Sequence, residues 1–176
     1  MENWVWNYES LKSFAKHYKT GEVLPEDLFK KMVAAKNVGS GLAVTRQIFY
    51  GMIDMTLHDK YNTRGTETTT DVVKKLTEKI LPYGFTEGTH MEAGFGHLTD
   101  YAAGYYGYLW SLVYANDLFS RFDKNGIFDK ETGKRLLDMV ISKGSSVDEM
   151  SQVKNFLERQ PNQNAFIKSL GLTDMK

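Results

Sequence analysis

Residues 95–110, FGHLTDYAAGYYGYLW, hold one histidine and four tyrosines. On a helix, Tyr101, Tyr105 and Tyr108 fall at i, i+4 and i+7 and share one face. Tyr106 lies about 100° round the axis from Tyr105. His97 precedes them by about one turn, in a loop that contains glycine. Neutral phenols and imidazoles are suitable donors toward an oxyanion that develops in a transition state. His97, Tyr101, Tyr105 and Tyr108 are therefore expected to converge on one cleft, with Gly104 and Gly107 letting another backbone approach. The same pattern has a structural reading: aromatic residues at helical spacing form core, each hydroxyl finding a partner.

Other chemistry is thinly represented. The histidines are His17, His58, His90 and His97. None stands in H-E-x-x-H, the spacing that sets two histidines around zinc and a glutamate beside a water. The chain has no cysteine, which excludes disulfides, a thiol nucleophile and thiolate zinc sites. His90, Glu92 and His97 flank a loop and could meet around a metal. They lack a regular ligand spacing, so surface or cleft-lining histidines are the favoured reading and no metal site is expected. Residues 123–134, DKNGIFDKETGK, miss the calcium loop: Gly126 stands fourth rather than sixth, and Lys134 replaces the closing glutamate. GIFDKETGKR lacks P-loop spacing and its Ser/Thr. Gly94-Phe95-Gly96 follows no strand, which argues against a dinucleotide turn.

The elements that would position the tyrosines read as helices throughout. Leu11, Phe14, Ala15 and Tyr18 have helical spacing over 8–18. Pro25 at a first helical position, followed by Glu26 and Asp27, starts a second helix that suits the macrodipole. A long helix is expected over 42–61, with Ile48, Phe49, Met52 and Ile53 inward and a close packing contact at Gly51. Thr70 is the expected cap of a helix over 71–80. Residues 81–100, with Pro82 and four glycines, form the longest irregular stretch and, by that length, a functional candidate. Helix resumes over 102–122, and three short helices follow over 130–142, 148–159 and 163–170. No period-2 strand pattern or internal repeat is present. The expected fold is all-α, a multi-helix bundle, with residues 1–176 as a single domain.

Lys+Arg and Asp+Glu both number 22, so the formal net charge is zero. A basic footprint for nucleic acid or an anionic membrane is absent. No apolar run approaches the roughly 20 residues that span a bilayer. The N-terminus MENWVWNYES has neither the basic nor the apolar region of a signal peptide. A cytoplasmic protein with no nucleic-acid or membrane partner is expected.

The segment FGHLTDYAAGYYGYLW closely resembles the C-terminal signature of the M3 (thimet oligopeptidase-like) zinc metallopeptidases. MENWVW resembles the stretch that follows the family's third zinc ligand. LKSFAKHYKTGEVLPEDLFKKMVAAKN, RQIFYGMIDMTLH and FLERQPNQNAFIKSLGL are also similar, so the resemblance covers nearly the whole chain. It implies the all-α C-terminal portion of that fold and hydrolysis of short peptides. It gives His97, Tyr101, Tyr105 and Tyr108 the binding of substrate and stabilisation of the tetrahedral intermediate, with Tyr101 and Tyr108 foremost, and leaves Tyr106 to packing. The stretch between His97 and Tyr101, LTD, is shorter than the glycine-rich loop of several family members. The resemblance places this chain downstream of H-E-x-x-H and of the third-ligand glutamate. The implied partners are short peptides and an upstream zinc-bearing segment; no cofactor is expected in this chain, zinc belonging to the full-length family. By itself the chain is expected to be inactive. It is also expected to form a homo-oligomer, because Trp4, Trp6 and part of the tyrosine face would otherwise be left uncovered. The alternative is a non-catalytic helical module that binds peptides or acts as a scaffold.

Overall fold

The computed structural model of the chain describes residues 2–172. Among them the fold is all-α: nine α-helices and no strand beyond one isolated antiparallel bridge, Lys16 with Val23. No helix among the described residues is long and apolar enough to cross a membrane. The chain divides into two compact units, one of Gly39–Ser111 and one of Met1–Val38 with Leu112–Lys176.

The unit Gly39–Ser111 is built on α3 (Ser40–Asp59) and α4 (Thr69–Ile80). Its core is Phe49, Ile53, Val72, Val73 and Leu76, with Tyr50, Leu57, Ile80, Phe85 and Leu98 packed around it. Ile53 is wholly buried, worth about 1.5–3 kcal/mol relative to exposure. Ile48 and Met52, expected inside, are 45% and 40% exposed. The reason lies in the partner: α4 covers only the stripe that holds Phe49 and Ile53. The cap of α4 is Thr68, not Thr70. Thr68 accepts from the Asp71 amide, and Asp71 reaches back to the Thr68 backbone. This reciprocal pair satisfies two donors that the first turn leaves open, for about 1 kcal/mol. Thr70 is freed to meet Glu92 and His90 instead. Between α4 and the tyrosine segment lie a 3₁₀ turn, Met91–Gly94, and the single-turn α5, His97–Asp100.

In the other unit, α1 (Tyr8–Phe14) ends four residues before its expected end. Residues 15–24 fold back as a tight loop, with the His17 amide donating to the Glu22 carbonyl and the Leu24 amide to that of Ala15. Gly21 takes the positive φ that the turn demands. Tyr18 is 84% exposed, so extending the helix would have buried nothing. The elements α2 (Glu26–Lys36), α7 (Lys130–Leu136), α8 (Glu149–Leu157) and α9 (Asn164–Ser169) complete this unit with most of α6 (Gly107–Asn125). A π-helical turn, Leu137–Ile141, continues α7. The core is Phe122, Phe156 and Leu157. Trp4 packs edge-on against Phe119 and Phe122 at 4.8 Å and donates its indole N–H to the Ile127 carbonyl. Trp4 is thus packed in part within its own unit and remains half-buried.

Candidate functional site

The tyrosine segment is not the helix that its spacing suggests. Helix α6 starts at Gly107, and residues 101–106 form successive turns. Ala103 stands in the left-handed region at φ 57°, where a β-carbon is disfavoured. The Gly104 amide donates back to the Tyr101 carbonyl at 3.0 Å, and a β-carbon at 104 would lie 3.0 Å from that same oxygen. A side chain at 104 would therefore require the turn to shift by a few tenths of an ångström. The amides of Ala103 and Tyr105, which a helix would have directed to i−4 carbonyls, donate to Asp54 instead: 3.1 Å to Oδ1 and 2.8 Å to Oδ2.

Asp54 is fully buried on α3, and spacing alone did not single it out. One turn on, His58 Nδ1 lies 3.0 Å from Asp54 Oδ1, and His58 Nε2 lies 3.1 Å from the Leu98 carbonyl oxygen. A signal was available. A carboxylate beside the innermost residue of a helix, with a histidine four residues later, is rarely buried unless paired. Gly51, one turn before Asp54, receives the backbone of Tyr106; a β-carbon at 51 would sit 3.6 Å from Tyr106 Cα. The close contact expected at Gly51 is thus present, and its partner is the tyrosine segment.

These turns do gather the expected side chains. His97 lies at the centre, with ring centroids of Tyr101, Tyr105 and Tyr108 at 5.3, 5.0 and 5.7 Å. His97 Nε2 and the Tyr108 hydroxyl are 3.0 Å apart. Tyr105 is the inner member, in ring contact with Tyr50 and Phe95, and its hydroxyl donates to Gln47 Oε1 at 3.0 Å. Burial pushes its phenol above the ordinary tyrosine range, and the Gln47 hydrogen bond only partly opposes this. Tyr101 and Tyr108 are 67% and 56% exposed. The Tyr101 hydroxyl has no hydrogen bond among the described residues. Two phenols therefore face outward beside one imidazole, while the third is committed to the interior.

His90 and Glu92 form a separate polar group. His90 Nδ1 and Glu92 Oε1 are 3.7 Å apart, and Thr70 bonds to both side chains. His97 does not join them, being engaged with Tyr108. Among the described residues no three His, Asp or Glu side chains gather as metal ligands. A catalytic zinc, which needs three protein ligands and an open position, does not fit on this segment.

The family profile described as Peptidase family M3 matches residues 1–172. Oligopeptidase A of Escherichia coli is 39% identical over 183 residues, covering 98% of this chain and 26% of that protein. Oligopeptidase A of Salmonella typhimurium is 36% identical over 174 residues, with the same shares covered. Saccharolysin of Saccharomyces cerevisiae is 34% identical over 178 residues, 98% of this chain and 24% of its own length. With an all-α fold and a His–Tyr cluster carried on the matched segment, the chain belongs to peptidase family M3. It spans about a quarter of the length of these curated relatives, 24–26%.

Proposed function

We propose that the Gly39–Ser111 unit supplies the substrate-binding surface of a metallo-oligopeptidase that hydrolyses short peptides. The observation that carries this reading is the 3.0 Å contact between His97 Nε2 and the Tyr108 hydroxyl, made where Tyr108 is still 56% exposed. With the proton on Nε2, His97 donates to the phenol oxygen, and the Tyr108 O–H is left to point outward. A donor fixed in this way needs no reorganisation when charge develops on a carbonyl oxygen. Tyr101, in tilted ring contact with His97, offers a second hydroxyl to the peptide backbone. Tyr105 anchors the cluster through Gln47 and Asp54. In the family zinc, when bound, would supply the activated water. No three zinc ligands gather among the described residues, so that chemistry would need a segment that carries H-E-x-x-H.

The test has two arms. Short peptides titrated into the chain should shift the NMR signals of His97 and Tyr108 together, and mixing with a segment that carries H-E-x-x-H should produce zinc-dependent cleavage. Binding without cleavage would favour the non-catalytic peptide-binding module. Loss of both would reject the reading.

A further inference from the structure

Asp54 and His58 lie one turn apart on α3, and Asp54 holds the amides of Ala103 and Tyr105. His58 has an unusual set of neighbours. Its Nδ1 is 2.8 Å from the Asp54 carbonyl oxygen and 3.0 Å from Asp54 Oδ1, and its Nε2 is 3.1 Å from the Leu98 carbonyl oxygen. All three are acceptors. A neutral imidazole has one N–H and satisfies only one side; an imidazolium donates on both. The buried Asp54 carboxylate otherwise receives only backbone amides, those of Ala103 and Tyr105, and a charge out of water calls for a charged partner. Among the described residues no other charged side chain pairs with His58. From α3 it meets Asp54, from α5 the Leu98 carbonyl, and from α4 no titratable group; His97 is held by Tyr108.

We propose that Asp54 and His58 form a proton-dependent clamp that holds residues 97–105 in the geometry presenting His97 and Tyr101, a positioning role that rests on the substrate-binding reading above. Doubly protonated His58 ties α3 to the carbonyl of Leu98 at the start of the segment, and Asp54 ties it to two amides at the end. When pH rises and His58 gives up a proton, one tie is lost. The segment that sets the His97–Tyr101 contact then loosens, while the α3–α4 core stays as it is.

Amide hydrogen exchange on the full chain tests this without any need for catalysis. The amides of Ala103 and Tyr105 should exchange progressively faster with rising pH than those of Leu76 and Ile80 in α4. His58→Gln, which cannot titrate, should abolish that extra pH dependence. Asp54→Asn should speed Ala103 and Tyr105 by about tenfold to a hundredfold at low pH, the loss expected for hydrogen bonds to a charged group. If Asp54→Asn does not fold, His58→Gln still decides, because its ring is at the edge of the unit (26% exposed). Ring ¹⁵N shifts should report both His58 nitrogens protonated at low pH. Extra exchange that is independent of pH in the unaltered chain, or unchanged by His58→Gln, would overturn the clamp. If exchange responds as expected but peptides leave His97 unshifted, the clamp stands and the substrate-binding reading falls.

Discussion

Arg159 holds Asp117 with both ends of its guanidinium, Nη1 2.8 Å from Oδ2 and Nη2 2.5 Å from Oδ1, and the Asn162 amide adds a third bond at 2.8 Å. Asp117 is 1% exposed on α6, so these bonds fasten the segment after α8 to the helix. Burial pushes the Asp117 carboxyl up; the hydrogen bonds from Arg159 and Asn162, with the arginine charge, outweigh it and hold it below the usual carboxylate range. Folded Asp117 thus binds its proton less readily than unfolded Asp117. Its contribution to stability is complete above the ordinary aspartate value of about 3.9 and is lost as pH falls from there toward the lower folded value. Arg159→Ala should cost about 2–3 kcal/mol by denaturant titration at neutral pH. That is less than a fully buried pair would lose, because the Arg159 side chain is 39% exposed. In the variant, Asp117 should also cease to contribute to the fall in stability below about pH 4.

Gly51 is the glycine at which helical propensity and packing meet. A β-carbon there would make ordinary contact with Tyr106 Cα, at 3.6 Å. Gly51→Ala should therefore be neutral or gain up to about 1 kcal/mol from helix propensity. Gly51→Leu should lose about 1–3 kcal/mol by forcing the tyrosine segment away. Thermal unfolding of both variants separates a tight contact from a forbidden one.

Ala103, at φ 57°, carries strain of about 1–2 kcal/mol. Ala103→Gly relieves it but returns about 0.4–1 kcal/mol of freedom to the unfolded chain. Net stabilisation of up to about 1 kcal/mol is expected. A loss instead would mean that the residue is not held in the left-handed region in solution.

Helical periodicity made α3 and α4 legible in the sequence, because each buries a stripe in the core they share; α2 is also legible, though it buries only Phe29. It also named His97, Tyr101, Tyr105 and Tyr108, but for a reason that does not hold. The tyrosines meet through turns at Ala103 and Gly104, imposed by a carboxylate about fifty residues earlier, the Asp54–Tyr105 pair being 51 apart. Spacing within a segment cannot report a bond to a distant helix. The same limit explains Thr70, whose hydroxyl is taken up by Glu92 at a separation of 22 residues, and Tyr18, which local pattern placed on a helix that has nothing to pack against. That H-E-x-x-H does not occur in these residues is legible directly, since a short contiguous motif needs no tertiary knowledge.

Tyr108→Phe removes one oxygen and keeps the ring against His97 and Tyr105, which makes it the most direct test of the peptidase reading. Tyr106→Phe is its control, since Tyr106 joins the site through its backbone at Gly51 and its half-exposed ring makes no contact with His97. The measurement is peptide hydrolysis by this chain combined with an M3 segment that carries H-E-x-x-H, in cis or as a separate chain. Loss of a donor used in the transition state should lower kcat of Tyr108→Phe by about a hundredfold to a thousandfold with KM nearly unchanged. Tyr106→Phe should leave kcat close to that of the unaltered protein. Equal and small effects at the two positions would contradict the account and make the tyrosine cluster a structural core.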